Sequence, residues 1–232
     1  LIIVSIISII LVQPDLGSSA VIFASVLGVL FIAGVKIRQF LIVAILGLAG
    51  IAMMIFFVPW RWERIISFMD PWSNPFTSGY QLTLSLMSIG RGDWFGVGLG
   101  QGLIKMGYLP DAHTDFIFSV IVEEMGILGG FAIISLLFAL CFRIFFIGRE
   151  SLVRKNFFGF YFCYGVALLL GLQTFINIGV ASGLLPTKGL TLPLVSGGGT
   201  NLIIVCIMIG LILRIDYENK ISMPVPMIKR RV

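Results

Sequence analysis

The amino-acid sequence predicts an all-α fold: a polytopic transmembrane helix bundle with about six spans and a large extracytoplasmic loop between the third and fourth. Three observations carry that expectation. Of the 232 residues 58% are hydrophobic and only 12% are charged, whereas about a quarter of an average soluble domain is charged. The apolar residues fall into long runs separated by short stretches of Pro, Gly and basic residues, and the mean hydropathy is +1.07. Lys and Arg concentrate in the connections between runs, which is the signature of membrane topology. The net charge of +5 is thereby accounted for. No RNA- or DNA-binding motif accompanies it, so nucleic acid is not an expected partner.

Taken in order, residues 1–12 read as the tail of one helix, too short to span alone at about 1.5 Å per residue. The chain begins at Leu1 inside an apolar run with no charged leader, so a truncated sequence is the expectation, not a signal peptide. Residues 16–35 and 39–58 make two further spans, joined by the basic turn Lys36-Ile37-Arg38. Residues 116–147 form a long helix expected to kink near Gly126, Gly129 and Gly130. Residues 157–180 and 200–214 complete the set. The residues from Asp216 to Val232 read as a disordered basic tail, so that residues 1–215 form the transmembrane domain. The odd set Cys141, Cys163 and Cys206 lies in apolar segments and reads as packing residues.

One side of the membrane receives Lys36, Arg38, Arg143, Arg149, Arg154, Lys155, Arg214, Lys220, Lys229, Arg230 and Arg231. The positive-inside rule makes that side cytoplasmic and the C-terminus with it. The segments 59–115 and 181–199 then lie outside. A connection as long as 59–115 is usually functional or disordered. Its content of Trp60, Trp62, Trp72, Trp94, Tyr80 and Tyr108 argues for order at the lipid–water interface. Residues 77–90 read as a short interfacial or re-entrant helix, with Ser73 or Asn74 as start signals.

Five motifs carry candidate chemistry. Gln13-Pro14-Asp15 with Leu16-Gly17 reads as a tight turn whose Asp caps the next helix; an indirect part in the architecture of a site is the alternative. The glycine-rich run from Gly90 to Gly102, followed by Lys105, lacks the preceding strand and βαβ unit of a nucleotide loop. It reads either as a flexible surface loop or as backbone that closely approaches a phosphate or sugar, with Lys105 or Arg91 as countercharge. His113-Thr114-Asp115 leads straight into an apolar helix. His113 is the only histidine, so a His-based metal site is not expected. Asp115, at the mouth of that helix near the outer surface, reads as a helix cap or as a general base. Glu123 and Glu124 lie roughly 12 and 13.5 Å along the helix axis from Asp115. They need separate partners, and the reading is a supporting ion pair inside the bundle, with candidate partners in spans that precede Leu1. Finally, the segment from Asn177 to Asn201 interrupts two apolar stretches with Pro186, Pro193 and a glycine run. It reads as a simple outer loop or as the wall of a cavity, since irregular backbone at membrane depth must be buried or line one.

Four of these motifs, Gln13-Pro14-Asp15-Leu16-Gly17, the small-residue run to Lys105, the stretch from Tyr108 through Asp115 to Glu124, and the segment from Pro186 to Asn201, occur in the order found in the SEDS family (shape, elongation, division, sporulation). The resemblance covers the chain from Gln13 to Arg214, and Pro186-Thr187-Lys188-Gly189 is closer to the division branch of the family than to the elongation branch. Arg91, Asp93, Leu194, Gly197, Thr200 and Asn201 depart from the usual pattern. Family members have about ten spans, so the resemblance implies about four before Leu1.

What the resemblance implies is an integral-membrane glycosyltransferase of the bacterial cytoplasmic membrane, at the division septum, that polymerises lipid II into peptidoglycan strands with inversion. Asp115 is its expected catalytic base. Lys105, Arg61, Arg64, His113, Thr114, Lys188, Ser196, Gly198 and Gly199 are its expected substrate-binding residues, and Gln13, Pro14, Asp15, Glu123 and Glu124 its support. A divalent cation, Mg or Mn, is expected at family level with no legible ligand set. A class B penicillin-binding protein transpeptidase, other divisome membrane proteins and membrane lipids are the expected partners. A lipid II flippase and an elongation-type polymerase are the alternatives. Against a transporter, the two halves show no inverted repeat and the suggestive residues gather on one face, away from the midplane.

Overall fold

The computed structural model describes residues 16–187 and 189–221. All regular secondary structure among the described residues is α-helical. Helices α1 (Leu16–Ile32) and α2 (Ile37–Phe56) form an apolar hairpin through Lys36. A short α3 (Pro59–Met69) and α4 (Tyr80–Gly92) follow, then the long α5 (Ile117–Val153), α6 (Phe157–Ala181) and α7 (Gly199–Ile221). Helices α5, α6 and α7 are each long and apolar enough to cross a membrane, and α1 and α2 are shorter apolar helices. The predicted run at residues 1–12 and the Gln13-Pro14-Asp15 turn lie outside the described residues.

Helix α5 packs along α6, and α7 closes against both; α1 lies on α6 and α2, and α4 lies on the first part of α5. The main apolar core joins Ile144 and Ile147 of α5, Cys163, Ala167 and Leu170 of α6, and Val205, Ile212 and Ile215 of α7. A second cluster of Leu109, Ala112, Phe116, Val120 and Val180 lies under the segment that carries Asp115. Large side chains such as Phe131, Leu136, Phe138 and Phe142 remain exposed on α5. Their position on an apolar span fits contact with lipid, which removes the hydrophobic penalty of exposure.

Three expectations are corrected. Segment 59–115 is not one connection: it contains α3, whose first helical residue is Pro59. Proline suits that position, because the first N–H groups of a helix have no internal partner. Helix α4 begins at Tyr80 with Gly79 as N-cap and no side-chain cap; Ser73 and Asn74 belong to the turn before it, where Asn74 O accepts from the N–H of Thr77 and Gly79. Helix α7 continues from Asp216 to Ile221, with Asp216 and Asn219 buried, so this stretch is packed and is not a disordered tail. Asn219 Nδ2 donates to Ser151 Oγ at 2.8 Å and to Ile147 O. Lys220 and Arg143 both pair with Asp216, at 2.6 and 3.6 Å. These partners tie the end of α7 to α5.

Candidate active site at one end of the helix bundle

Helix α5 breaks at Gly126, which holds φ 74° and ψ −179°. Only glycine takes such a conformation without strain. The break removes the ladder bonds that Ile127 and Leu128 N–H would donate to Glu123 and Glu124 O. The glycine loop supplies all four orphaned groups. Ile127 N–H donates to Asp93 O at 2.9 Å and Leu128 N–H to Trp94 O at 3.4 Å, while Glu123 O accepts from Val97 N–H at 2.9 Å and Glu124 O from Gly98 N–H at 3.0 Å. Buried backbone polar groups must be paired, so the loop completes the helix. A Cβ on Gly96 would lie 2.2 Å from Glu124 O, which explains a glycine at that point of closest approach.

The two glutamates fasten the same loop. Glu123 is fully buried; its Oε1 accepts from Arg91 Nη1 and from Leu103 N–H, both at 3.0 Å, and its Oε2 from Ser88 Oγ at 3.1 Å. Glu124 pairs with Lys105 and accepts from Gly100 N–H at 3.0 Å. The expected basic partners therefore come from α4 and the outer loop, not from spans before Leu1. Lys105 and Arg91, read as countercharges for a substrate, are both engaged by glutamates.

The segment that ends in Asp115 is held from two sides. Asp111 has φ 54°, and its carbonyl accepts from the N–H groups of Thr114, Asp115 and Phe116. Thr114 Oγ1 also donates to Asp111 O. The second clamp is the segment after α6. Asn177 Nδ2 donates to Asp115 O at 2.9 Å and also to Leu190 O. Ser196 Oγ donates to Thr114 O at 2.6 Å while accepting from Leu192 N–H, and Gly197 N–H donates to His113 O at 2.9 Å. Three successive carbonyls are thus fixed beside the half-buried Asp115 side chain.

Asp115 lines a cavity of about 90 Å³ together with Arg64, Gln81, Asp111, Phe116, Thr187 and Gly189. Of the expected substrate-binding residues Arg64 lines it. Thr114 and Ser196 act in the clamp. His113 is exposed, with its backbone carbonyl in the same clamp. Gly198 lies against Thr191 and Asn201, and Gly199 opens α7. Lys188 lies outside the described residues, and the side chain of Arg61 is not described. Thr187 belongs to the Pro186-Thr187-Lys188-Gly189 motif and Asp111 to the stretch before Asp115, but nothing in their spacing joins them to Gln81, because three separate segments bring them together. Among the described residues no group of three or more His, Cys, Asp or Glu side chains converges as a metal site.

The fold and this site define an integral-membrane helix bundle with an acid-lined cavity at one end, built where two broken segments meet. The chain matches the model of the cell cycle protein family of FtsW, RodA and SpoVE over residues 1–221, and it belongs to that family. It is 47% identical over 210 residues to a probable peptidoglycan glycosyltransferase FtsW of Nitrosococcus halophilus, covering 90% of this chain and 54% of that protein. It is 50% identical over 212 residues to one of Buchnera aphidicola, covering 91% and 56%. The chain thus spans about half the length of these relatives. Among solved structures it is similar to a chain of a peptidoglycan synthase complex (TM-score 0.72, 30% identity, 94% of this chain and 60% of that one). It is also similar to the rod shape determining protein RodA of Thermus thermophilus (TM-score 0.58, 27% identity, 94% and 54%).

Proposed function

We propose that the full protein carrying this chain is a peptidoglycan glycosyltransferase that polymerises lipid II at the outer face of the bacterial cytoplasmic membrane during septal wall synthesis. The observation that carries the reading is the placement of Asp115 on a polar cavity, its backbone clamped from two sides. The names of the similar FtsW proteins supply the substrate class and favour the division role.

In this mechanism the Asp115 carboxylate takes the proton of the acceptor sugar's 4-hydroxyl. The freed oxygen attacks the anomeric carbon of the lipid-linked strand from the face opposite the pyrophosphate, which departs with the bonding pair and inverts that carbon. Pyrophosphate is a stable anion, so no second residue has to protonate it, in contrast to ordinary glycosides. Arg64, at the same cavity, supplies positive charge where negative charge develops. The described side chains do not amount to a resident metal site. A divalent cation in the reaction would be held by one or both of the cavity carboxylates, Asp111 and Asp115, and would supply positive charge beside the leaving pyrophosphate.

The C-terminus lies on the cytoplasmic side in this reading, since Arg143, Arg149, Arg154, Lys155, Arg214 and Lys220 gather at the end of the bundle remote from Asp115. A class B penicillin-binding protein and other divisome membrane proteins are the partners it implies; the similarity to a chain of a peptidoglycan synthase complex supports the first. The test is a lipid II polymerisation assay on the full-length protein beside a lipid II translocation assay. Loss of polymer with intact translocation in Asp115→Asn supports the polymerase; full polymerisation by that variant rejects it.

A further inference from the structure

Three polar side chains share the Asp115 cavity and take no hydrogen bond or ion pair from the described residues: Gln81 of α4, Asp111 of the turn, and Thr187 after α6. Thr187 is only 8% exposed. Gln81 is half-buried and Asp111 is exposed. The contrast within the same few residues is informative. Every polar atom of Glu123 is engaged, and the hydroxyls of Ser85, Ser88, Thr114 and Ser196 all have partners. Gln81, Asp111 and Thr187 differ from these in lying together on the cavity that Asp115 lines.

Those three groups differ in what they offer. The Asp111 carboxylate accepts only; the Thr187 hydroxyl and the Gln81 carboxamide both donate and accept. That combination suits neighbouring hydroxyl and amide substituents on one edge of a pyranose. Arg64, on the same cavity, is the group that suits a phosphate. The cavity is too small for a whole disaccharide, and an edge is what it can admit. Gly189 keeps the opening clear: a Cβ there would lie 3.1 Å from Asp115 Oδ2.

We infer that Gln81, Asp111 and Thr187 form the recognition subsite for the acceptor sugar, gripping the substituents beside the reacting hydroxyl so that this hydroxyl points at Asp115. The inference rests on the proposed polymerase reading and adds which residues choose and orient the acceptor. They are positioning residues; Asp115 alone touches the transferred proton.

The experiment measures lipid II titration curves for the full-length protein with Thr187→Val, Thr187→Ser, Asp111→Asn and Asp111→Gly. Thr187→Val keeps the shape and removes the hydroxyl. Asp111→Asn and Asp111→Gly both tolerate φ 54°, so they separate the carboxylate from the turn. The expected result is a KM raised about tenfold by Thr187→Val and by either Asp111 change, the equivalent of about 1.4 kcal/mol each, with kcat changed less than KM and Thr187→Ser close to the parent. An unchanged KM in Thr187→Val and in both Asp111 variants overturns the subsite. So does a loss in Asp111→Asn that Asp111→Gly restores, because that pattern belongs to the turn. Asp115→Asn run in parallel keeps the two readings apart: if it polymerises normally the polymerase reading fails, whereas an inactive Asp115→Asn beside unaltered subsite variants refutes the subsite alone. Should an Asp111 variant fail to accumulate, the isosteric Thr187→Val decides.

Discussion

Glu123 and Asp115 are neighbours on the outer part of one chain segment, yet their surroundings are opposites. Around Glu123 a serine, an arginine and a backbone N–H fill both oxygens, and no solvent reaches it. Around Asp115 the protein fixes the backbone and leaves the half-buried carboxylate on a polar cavity. The difference separates an acid enclosed by the structure from the acid that the proposed function makes the general base. A buried charge is tolerated when its partners are supplied from within; a reacting charge needs room for a partner that arrives later.

The comparison can be broken at either acid. The largest expected effect is on Asp115: Asp115→Asn should lower lipid II polymerisation by about 10²–10⁴-fold, the range of a general base, while the melting temperature in detergent stays at the parent value. Next comes Arg91→Ala, which leaves the Glu123 charge buried without its cation and should destabilise the protein by about 3–5 kcal/mol, read as a large loss of thermal stability. If Arg91→Ala melted like the parent, Glu123 would not be the structural acid described here. Gly126→Ala forces a side chain into φ 74° with its Cβ 2.2 Å from Trp94 O. A cost of about 1–3 kcal/mol or more is expected, again in the melting curve, together with faster proteolysis of the glycine loop. The smallest effect belongs to the exposed pair of Arg214 and Glu218: Glu218→Gln should change stability by no more than about 0.5 kcal/mol, a control showing that not every ion pair of this protein behaves like the one at Glu123.

Much of this was legible in the sequence where periodicity and breakers are local. The apolar runs locate α1, α2 and α6 to within three residues and the start of α5 to within one, while α5 runs on to Val153, six residues past the end its apolar run marks; the glycines near 126 mark its break. The placement of Asp115 at the mouth of a helix was equally visible. The rest was hidden for definite reasons. Helix α3 mixes Trp, Arg and Glu with apolar residues and reads as loop, although Pro59 directly after an apolar run was the signal for a new start. The last turns of α7 look like a polar tail, but Arg214 with Glu218 and Asp216 with Lys220 are pairs at helical spacing and announce a continued helix. The partners of Glu123 and Glu124, and the meeting of Gln81, Asp111 and Thr187, come from segments distant in the chain, which no local pattern reports.

The gap in the α5 ladder also has a mechanical meaning. With two hydrogen bonds rerouted through the glycine loop, bending and torsion do not pass along α5 as through an unbroken rod. The outer stub moves as one piece with the loop wrapped around it. Changes in exposed loop residues can accordingly be absorbed around the stub, while Asp115 keeps the bearing that Asn177, Ser196 and Gly197 set and the membrane-crossing shaft keeps its seat in the lipid.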